Sequence, residues 1–473
     1  MALRRMRKSE RNHQVSDFSK IPPQDVVSEL KKHVLIDGFQ IVVDLQKSRG
    51  AWLVDAATGR RLLDLYGSFG SMPVGYNHPG LDQPRIHEDL LEAARVKVAN
   101  PDVYSTQLAR FVQSFHRVMG LPPLDRYFFI EGGSAAVENT LKAAMDWKVR
   151  RNLEAGYGER GTQILHFERA FHGRGGYTLS LTNTDPRKTE YFAKFAWPRV
   201  IAPSIDFSLP ERQRDLEVID KERYAEAQIR EILSRDALDI AAIIIEPIQG
   251  EGGDNHFRGE WLRTLRRICD ENDILLIFDE VQTGCGTTGR RWCCEHFDVL
   301  PDLLAFGKKA QVCGVMAGPR LDEVPDNVFR LSGRINSTWG GGLADMVRST
   351  LCLEIIERDN LIENAENVGR TFLEELHRLA AGERMLSGMR GRGFILAFDL
   401  PNRELRETFY KGLFEIGLLA IRCGERSIRF RPALDFPSSS IRNAVEMLKE
   451  QCRRMHARSP DTAASVKPET IVR

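Results

Sequence analysis

The amino-acid sequence predicts an α/β fold, in which a large domain with a mostly parallel sheet is joined to a smaller α+β domain. Two observations support this prediction. Between about residues 125 and 320, short apolar runs alternate with amphipathic helical patterns, which is typical of parallel strands connected by helices. After about residue 345 the order changes, and helical patterns precede short strands. With 473 residues, the chain is also long enough for more than one core.

The predicted strands of the large sheet are short runs of branched and aromatic residues. They lie at 126–130, 162–167, 239–245, 273–278 and 302–306, with a possible sixth at 314–318 that returns after a short turn. A helix is predicted at 135–153, directly after the first of these strands. Val137, Leu141 and Ala144 repeat there at helical spacing, which indicates one face packed against the sheet.

The remaining elements are assigned to the smaller domain and to the chain ends. Helical patterns lie at 345–359 and 370–382, and short strands follow at 393–400 and 427–434. The stretch 52–65 predicts two further strands around a turn at Thr58–Gly59. The predicted division is a disordered tail at 1–20, an N-terminal segment joining the small domain at 21–65, the large domain at 66–343, the small domain at 344–455 and a second disordered tail at 456–473.

The composition argues against several classes of function. Lys and Arg number 67 and Asp and Glu 66, so no broad basic surface for nucleic acid is expected. Eight cysteines without C-x-x-C spacing argue against a zinc ribbon or a dithiol redox centre, and they fit a reducing, cytoplasmic compartment. No bound metal is expected. No apolar run is long enough to cross a membrane, and the basic N-terminus lacks the apolar core of a secretory signal.

Polar residues and glycines follow five of the predicted strands. Because ligands of open α/β sheets bind at the carboxyl ends of the strands, these positions are candidate site residues. Gly132, Gly133 and Ser134 follow the first strand and precede a helix. Backbone N–H groups at such a helix start suit a phosphate, although an ordinary tight turn with Ser134 as the helix cap explains the same residues equally well.

Asp279 and Lys308 each follow an apolar strand. A poorly solvated carboxylate needs a cationic partner, which is either an arginine or a protonated pyridine nitrogen. Burial lowers the pKa of a lysine so that its amine can form an imine, although most lysines lie at the surface. Together with the phosphate-binding turn, the two residues predict a pyridoxal 5'-phosphate (PLP) pocket, where Lys308 forms the Schiff base and Asp279 keeps the ring nitrogen protonated. The adjacent Lys309 is expected to be a surface lysine.

Six motifs occur in order along most of the chain. They are EGGSAAVENTLKAA, AFHGRGGYTLSLTN, IIIEPIQGEGGD, LLIFDEVQTGCGTTG, LLAFGKK and INSTWGG. From about residue 35 to 450, the sequence resembles the class III, or ω-, aminotransferases of the fold type I PLP superfamily. It departs from the wider family in its phosphate loop, which usually reads Ser-Gly-Thr-Glu-Ala, and in the lack of a glycine cluster after the lysine pair.

The resemblance implies a role for each candidate residue in cofactor binding. Lys308 matches the Schiff-base lysine and Asp279 the partner of the pyridine nitrogen. The further cofactor residues that it implies are Gly133 and Ser134 in the phosphate cup, Phe171 on the ring face, Gln282 at the ring hydroxyl, and Thr338, donated by the neighbouring subunit of a homodimer with shared sites.

The resemblance also implies a reaction and its substrates. The ε-amino group of L-lysine would pass in ping-pong order to 2-oxoglutarate, giving L-glutamate and 2-aminoadipate 6-semialdehyde, which cyclises to a piperideine carboxylate. Arg174 would bind the distal carboxylate of each substrate and Arg429 the near carboxylate of 2-oxoglutarate, because arginine binds carboxylates through two hydrogen bonds. Glu251 would pair with Arg429 when lysine is bound, and Gln282 is also counted among the substrate-binding residues.

Alternatives remain open at this point. Considered without the resemblance, Glu251 and Arg429 would be interpreted as a structural ion pair. 4-Aminobutyrate, ornithine or a polyamine could replace lysine as the amine donor, since all of these substrates use the same cofactor residues. A non-catalytic PLP-binding protein is a third possibility, which the intact Lys308, Asp279 and Gln282 disfavour.

Overall fold

The structure, a computed structural model, describes residues 21–82 and 84–458. Its helices are α1 (Val26–Leu30), α2 (Pro84–Arg95), α3 (Thr106–Met119), α4 (Gly133–Glu154), α5 (Gly176–Leu181), α6 (Glu211–Asp236), α7 (Gly259–Glu271), α8 (Leu343–Arg358), α9 (Leu361–Gly382), α10 (Arg403–Ile416) and α11 (Ser439–Arg458). Its strands are β1 (Trp52–Val54), β2 (Arg61–Asp64), β3 (Arg126–Ile130), β4 (Gln163–Phe167), β5 (Arg199–Val200), β6 (Ile240–Ile245), β7 (Ile248–Gln249), β8 (Asn255–His256), β9 (Leu275–Asp279), β10 (Leu303–Phe306), β11 (Cys313–Ala317), β12 (Ser387–Arg392), β13 (Ile395–Asp399), β14 (Leu418–Leu419), β15 (Ile421–Cys423) and β16 (Ser427–Phe430).

A seven-stranded sheet forms the centre of the structure, in the order β3-β11-β10-β9-β6-β4-β5. Strands β10, β9, β6, β4 and β5 pair in parallel. Only β11 runs against both of its neighbours, β10 and β3. The predicted mostly parallel α/β sheet is therefore confirmed, including the strand that returns at once after β10. The two-residue strand β5 was not predicted, because so short a stretch carries no periodic pattern.

Both faces of this sheet are covered, which explains the continuous apolar runs of its strands. In β6, every residue from Ile240 to Ile245 is buried. Ile244 belongs to the apolar cluster that includes Trp147 of α4, whereas Ile243 packs in the cluster that includes Trp261 of α7. Alternate residues of one strand thus contact helices on opposite faces, as the two-residue repeat of a strand requires.

Two smaller sheets lie beside the large one, and the N- and C-terminal parts of the chain meet in the first of them. β1 and β2 are antiparallel, and β2 pairs in parallel with β14 from the C-terminal part of the chain. The second sheet has the order β12-β13-β16-β15. The division into domains stays a prediction. The predicted tails lie outside the described residues except for 456–458, which end α11. Within the part of the chain that the structure describes, no helix is long and apolar enough to cross a membrane.

Candidate active site

The carboxyl ends of the parallel strands bring the predicted cofactor residues to one edge of the large sheet. Asp279 is the last residue of β9, and it lies opposite Ala305 of the neighbouring β10. Lys308 follows β10 after one residue, Gly307, and Gly133 begins α4 shortly after β3. Phe171 lies in the loop that follows β4. Parallel strand ends meet on one side of a sheet, so the fold itself assembles these side chains.

Asp279 is buried, and its partner in the structure is a histidine. Nδ1 of His172 donates a hydrogen bond to Oδ2 of Asp279 at 2.8 Å, and the N–H of Val281 donates to Oδ1 at 3.1 Å. His172 is itself buried, and its Nε2 has no hydrogen-bond partner among the described residues. The two bonds fix the direction of the carboxylate, so His172 belongs to the site. The sequence prediction did not include His172, although its position directly after Phe171 was a usable signal.

Lys308 begins a single 3₁₀ turn after β10 and has a left-handed φ of +50°. Its Nζ donates a hydrogen bond to the carbonyl oxygen of Phe69 at 3.0 Å. Burial lowers the pKa of Lys308 to about 8, and the positive charges of Arg429 and Arg431 act in the same direction. A lowered pKa increases the fraction of neutral amine near neutral pH, which is the form that attacks an aldehyde.

Lys309 is not a surface residue, which corrects the sequence prediction. Only 3% of it is exposed, and its Nζ donates to the carbonyl oxygens of Met72 at 2.7 Å and Pro432 at 2.9 Å. Burial lowers the pKa of Lys309 to about 7. The prediction failed because both carbonyls come from segments far away in sequence, which no local pattern around Lys309 reveals.

The start of α4 provides the predicted phosphate-binding turn. Gly132 precedes the helix with a φ of +94°, and the N–H groups of Gly133 and Ser134 have no acceptor within the helix. The Ser134 hydroxyl accepts a hydrogen bond from the N–H of Gly175 at 3.0 Å and lies 2.8 Å from the Thr178 hydroxyl. Because the Thr178 hydroxyl can be the donor of that pair, the Ser134 proton can still point to a phosphate.

Phe171 is held by a buried acid at the end of β6. Its backbone N–H donates to Oε1 of Glu246 at 2.9 Å, and Oε2 of Glu246 accepts from the N–H of Gly250 at 3.0 Å. Burial raises the pKa of Glu246 to about 7, while the nearby His172 opposes this shift. Glu246 therefore fixes the backbone at Phe171, a role that the sequence did not suggest.

Gln282 and Arg429 contact each other directly. Nη1 of Arg429 donates to Oε1 of Gln282 at 2.6 Å, which leaves the amide nitrogen of Gln282 as the donor that can face the site. The neighbouring Arg431 is fully buried and donates to Asp254 at 2.5 Å and to Gln282 at 3.3 Å. Arg429 is also buried, but its Nη1 lies 3.6 Å from Asp254, farther than the bonded Arg431. Arg429 is therefore the better candidate for a substrate carboxylate.

Glu251 pairs with a residue that the sequence prediction left out. Its carboxylate forms an ion pair with Lys188, whose Nζ lies 5.5 Å from the centroid of the Phe171 ring. The predicted Glu251–Arg429 pair is therefore not formed in this structure. Burial lowers the pKa of Lys188 to about 8, and the charge of the exposed Arg174 acts in the same direction. The chain after α5 brings Lys188 over Phe171, and no motif indicated that path.

Thr338 lies in the irregular segment between β11 and α8, and its side chain is exposed. An exposed hydroxyl is accessible to a second copy of the chain, as a residue donated to a partner's site must be. Its assignment as a phosphate ligand stays a prediction.

The residues at the sheet edge fit PLP in type and in placement. The free N–H groups at the start of α4, beginning with Gly133, match a phosphate dianion. The buried Asp279 matches a protonated ring nitrogen, and the amide nitrogen of Gln282 matches the ring oxygen. The amine of Lys308, with its lowered pKa, matches the aldehyde. Site and fold together define a PLP-dependent transferase of fold type I.

Comparison with known proteins identifies the family. Residues 37–451 match the family model "Aminotransferase class-III", and the chain belongs to this family. It is 47% identical to the L-lysine-epsilon aminotransferase of Streptomyces clavuligerus over 92% of this chain and 95% of that protein. A solved structure of lysine aminotransferase from Mycobacterium tuberculosis is similar, with a TM-score of 0.89 and 47% identity over 91% of this chain and 99% of that one. A probable mitochondrial 4-aminobutyrate aminotransferase of Caenorhabditis elegans is 34% identical over 86% of each chain.

Proposed function

We propose that this protein is an ω-aminotransferase that moves the ε-amino group of L-lysine to 2-oxoglutarate. The observation that carries the proposal is the identity of 47% with a protein named for this reaction, over nearly the full length of both chains. The site supports the same class of reaction, because Lys308 and Asp279 lie at one edge of the sheet. The products are L-glutamate and 2-aminoadipate 6-semialdehyde, which cyclises.

Lys308 is the proposed proton carrier of the reaction. When bound, PLP supplies an aldehyde that condenses with amines and a ring that accepts the electron pair of a broken C–H bond. In the half-reaction with the amine donor, the neutral Nζ of Lys308 takes the proton from the substrate carbon. In the half-reaction with the 2-oxo acid, the protonated Nζ gives a proton to the substrate carbon. Its lowered pKa, about 8, keeps both protonation states accessible near neutral pH. Asp279, held by His172, stabilises positive charge on the ring nitrogen throughout.

Three cationic side chains are available for the substrate carboxylates. Arg429, with its guanidinium turned to Gln282, is proposed for the near carboxylate of 2-oxoglutarate. Arg174 is exposed beside Phe171 and is proposed for the distal carboxylate of each substrate. Lys188, paired with Glu251, adds a positive charge on the same side. L-lysine brings a cationic α-ammonium group, which 4-aminobutyrate lacks, and Glu251, which pairs with Lys188, is proposed as the acid that faces it.

The active protein is proposed to be a homodimer in which Thr338 of each chain completes the other chain's phosphate site. The exposure of Thr338 supports this arrangement, as does the exposed Trp339 beside it. An apolar side chain of this size is a typical interface residue when it is 41% exposed in the single chain. Cytoplasmic location is part of the same proposal and rests on the free cysteines.

A donor screen tests the proposed function. The purified protein loaded with PLP is given 2-oxoglutarate and, in turn, L-lysine, 4-aminobutyrate, L-ornithine and a diamine. L-lysine should give the highest kcat/KM and a cyclic piperideine product. If glutamate forms faster from 4-aminobutyrate than from lysine, the proposal is wrong and the protein is a 4-aminobutyrate aminotransferase. The 34% identity to a protein named for that activity makes this the nearest alternative.

A further inference from the structure

Residues 67–70 form a turn of unusual backbone conformation beside Lys308, called here the left-handed turn. Gly67, Ser68, Phe69 and Gly70 have φ values of +49°, +51°, +58° and +76°. Left-handed φ is unfavourable for Ser and Phe, so this conformation persists only where surrounding contacts impose it. The turn carries the carbonyl oxygen of Phe69, which accepts the hydrogen bond from Nζ of Lys308.

Three side chains from one short segment hold the turn through its carbonyl groups. Nζ of Lys308 donates to Phe69 at 3.0 Å, Nζ of Lys309 donates to Met72 at 2.7 Å, and the amide of Gln311 donates to Ser71 at 2.7 Å. The three acceptors belong to the turn and the two residues after it. The three donors belong to the loop after β10 that carries the active-site lysine, so turn and loop are tied together at three points.

Lys309 is the most deeply buried of the three donors. It is 3% exposed, and its second hydrogen bond, to the carbonyl of Pro432 at 2.9 Å, joins the turn to the chain after β16. The fit around the turn is tight there, because a Cβ on Gly67 would lie 2.2 Å from the carbonyl oxygen of Arg431. The buried Nζ of Lys309 therefore bridges two backbone segments that would otherwise each leave an unpaired carbonyl in the interior.

From these contacts we infer that Lys309 is a positioning residue, which holds the left-handed turn so that the Phe69 carbonyl receives the free amine of Lys308. The inference rests on the proposed role of Lys308. The amine of Lys308 must leave the Phe69 carbonyl in order to react. The hydrogen bonds from Lys309 and Gln311 are therefore the ones that hold the turn throughout the reaction. A turn that stays in place returns the Lys308 amine to one position in every half-reaction, and proton transfer depends on that position.

The test uses Lys309→Met, which keeps the length of the side chain and removes its donors, in the protein loaded with PLP. Hydrogen–deuterium exchange of peptides covering residues 66–73 should become about tenfold faster, as expected when two buried hydrogen bonds are lost. Peptides of α7, which belongs neither to the turn nor to the loop after β10, should be unchanged. Lys449→Met is the matched control, because Lys449 is exposed and pairs with Glu446 within its own helix. It should leave exchange of the turn unchanged.

Kinetics separate a positioning role from a merely structural one. In Lys309→Met, kcat with the best donor of the screen should fall about tenfold while KM stays within about twofold, because the loss is in proton transfer and not in binding. Lys309→Arg, which keeps the positive donor, should recover part of both effects. Gln311→Leu removes the other permanent donor and should speed exchange of the same peptides, even if Lys309→Met does not fold.

The inference is overturned if exchange of residues 66–73 is unchanged in a folded Lys309→Met or, where that variant does not fold, in Gln311→Leu. It is also overturned if KM rises while kcat is unaffected. A protein that fails the donor screen but shows faster exchange in both variants would contradict the proposed substrates and leave the role of Lys309 supported.

Discussion

The two sides of the candidate site differ in what holds their residues in place. On the cofactor side, Asp279 and Lys308 follow adjacent strands of one sheet, and backbone hydrogen bonds fix their separation. On the substrate side, Glu251, Arg174 and Arg429 come from two loops and from a strand of a different sheet, and mainly side-chain contacts relate them. The backbone adds a hydrogen bond from the N–H of Gly424 to the carbonyl oxygen of Glu251 at 2.9 Å. The chemistry of such a site can therefore stay constant while its substrate preference changes through a few side-chain contacts.

The largest expected effect is on the cofactor side, in Lys308→Ala. Removing the amine that is proposed to bind the cofactor and carry the proton should lower kcat by about 10³-fold or more. The absorbance of the covalently attached cofactor should disappear at the same time. Lys142→Ala, which changes an exposed lysine on α4, is the control and should keep full activity. Turnover within tenfold of the unchanged protein would exclude Lys308 as the reactive lysine.

Asp279→Asn should have the second-largest effect. The variant keeps the shape of the side chain but loses the charge that stabilises a protonated ring nitrogen, so kcat should fall by about 10²-fold. His172→Gln in the same background should add little, because His172 acts through Asp279. Steady-state kinetics of the two single variants and the double variant measure this coupling, with the exposed Asp220→Asn as control. Fully additive losses would separate His172 from Asp279.

On the substrate side, Arg429→Gln should act on one substrate only. Loss of a charge-assisted contact costs about 1.5–3 kcal/mol, so KM for 2-oxoglutarate should rise about 10- to 100-fold. The half-reaction with the amine donor should change only a few-fold, and single-turnover measurements separate the two. Arg422→Gln, which removes a half-exposed arginine of the adjacent β15, is the matched control. Equal losses in both half-reactions would refute the assignment of Arg429.

The rate of PLP capture should depend on pH through Lys308. Its amine is protonated below its pKa of about 8, and only the neutral form attacks the aldehyde. Capture by the cofactor-free protein should therefore speed up about tenfold per pH unit below pH 8 and become constant above it. Stopped-flow absorbance measures the rate, and Lys308→Ala should show no capture phase. A profile that keeps rising to pH 10 would mean that the pKa is not lowered.

The smallest expected effect is that of Lys188→Gln. The Lys188–Glu251 pair is partly exposed, and ion pairs of this kind contribute about 0–1 kcal/mol, so KM for either substrate should change less than about fivefold. Glu251→Gln in the same assay serves as the paired variant. A change above tenfold for 2-oxoglutarate alone would place Lys188 among the carboxylate-binding residues and make the substrate side less dependent on Arg429.

The same contrast explains what the sequence could predict. The strands of the large sheet and the edge shared by Asp279 and Lys308 follow from apolar runs and from a general rule about parallel sheets, which are local or universal information. The contact of Asp279 with His172, the burial of Lys309 and the pairing of Glu251 with Lys188 depend on how distant loops pack. Such contacts have no periodic signal, so residue types could be selected from the sequence but their partners could not.

The burial of Lys309 also affects how aldehyde probes and covalent inhibitors would label this protein. Judged by acidity alone, Lys309, with a pKa of about 7, would compete with Lys308 for an electrophile. Both hydrogen-bonded carbonyls and the surrounding core close off Lys309, so steric access should make Lys308 the modified residue. Peptide mapping after borohydride trapping should therefore find a single adduct, with tryptic cleavage blocked after Lys308 and intact after Lys309.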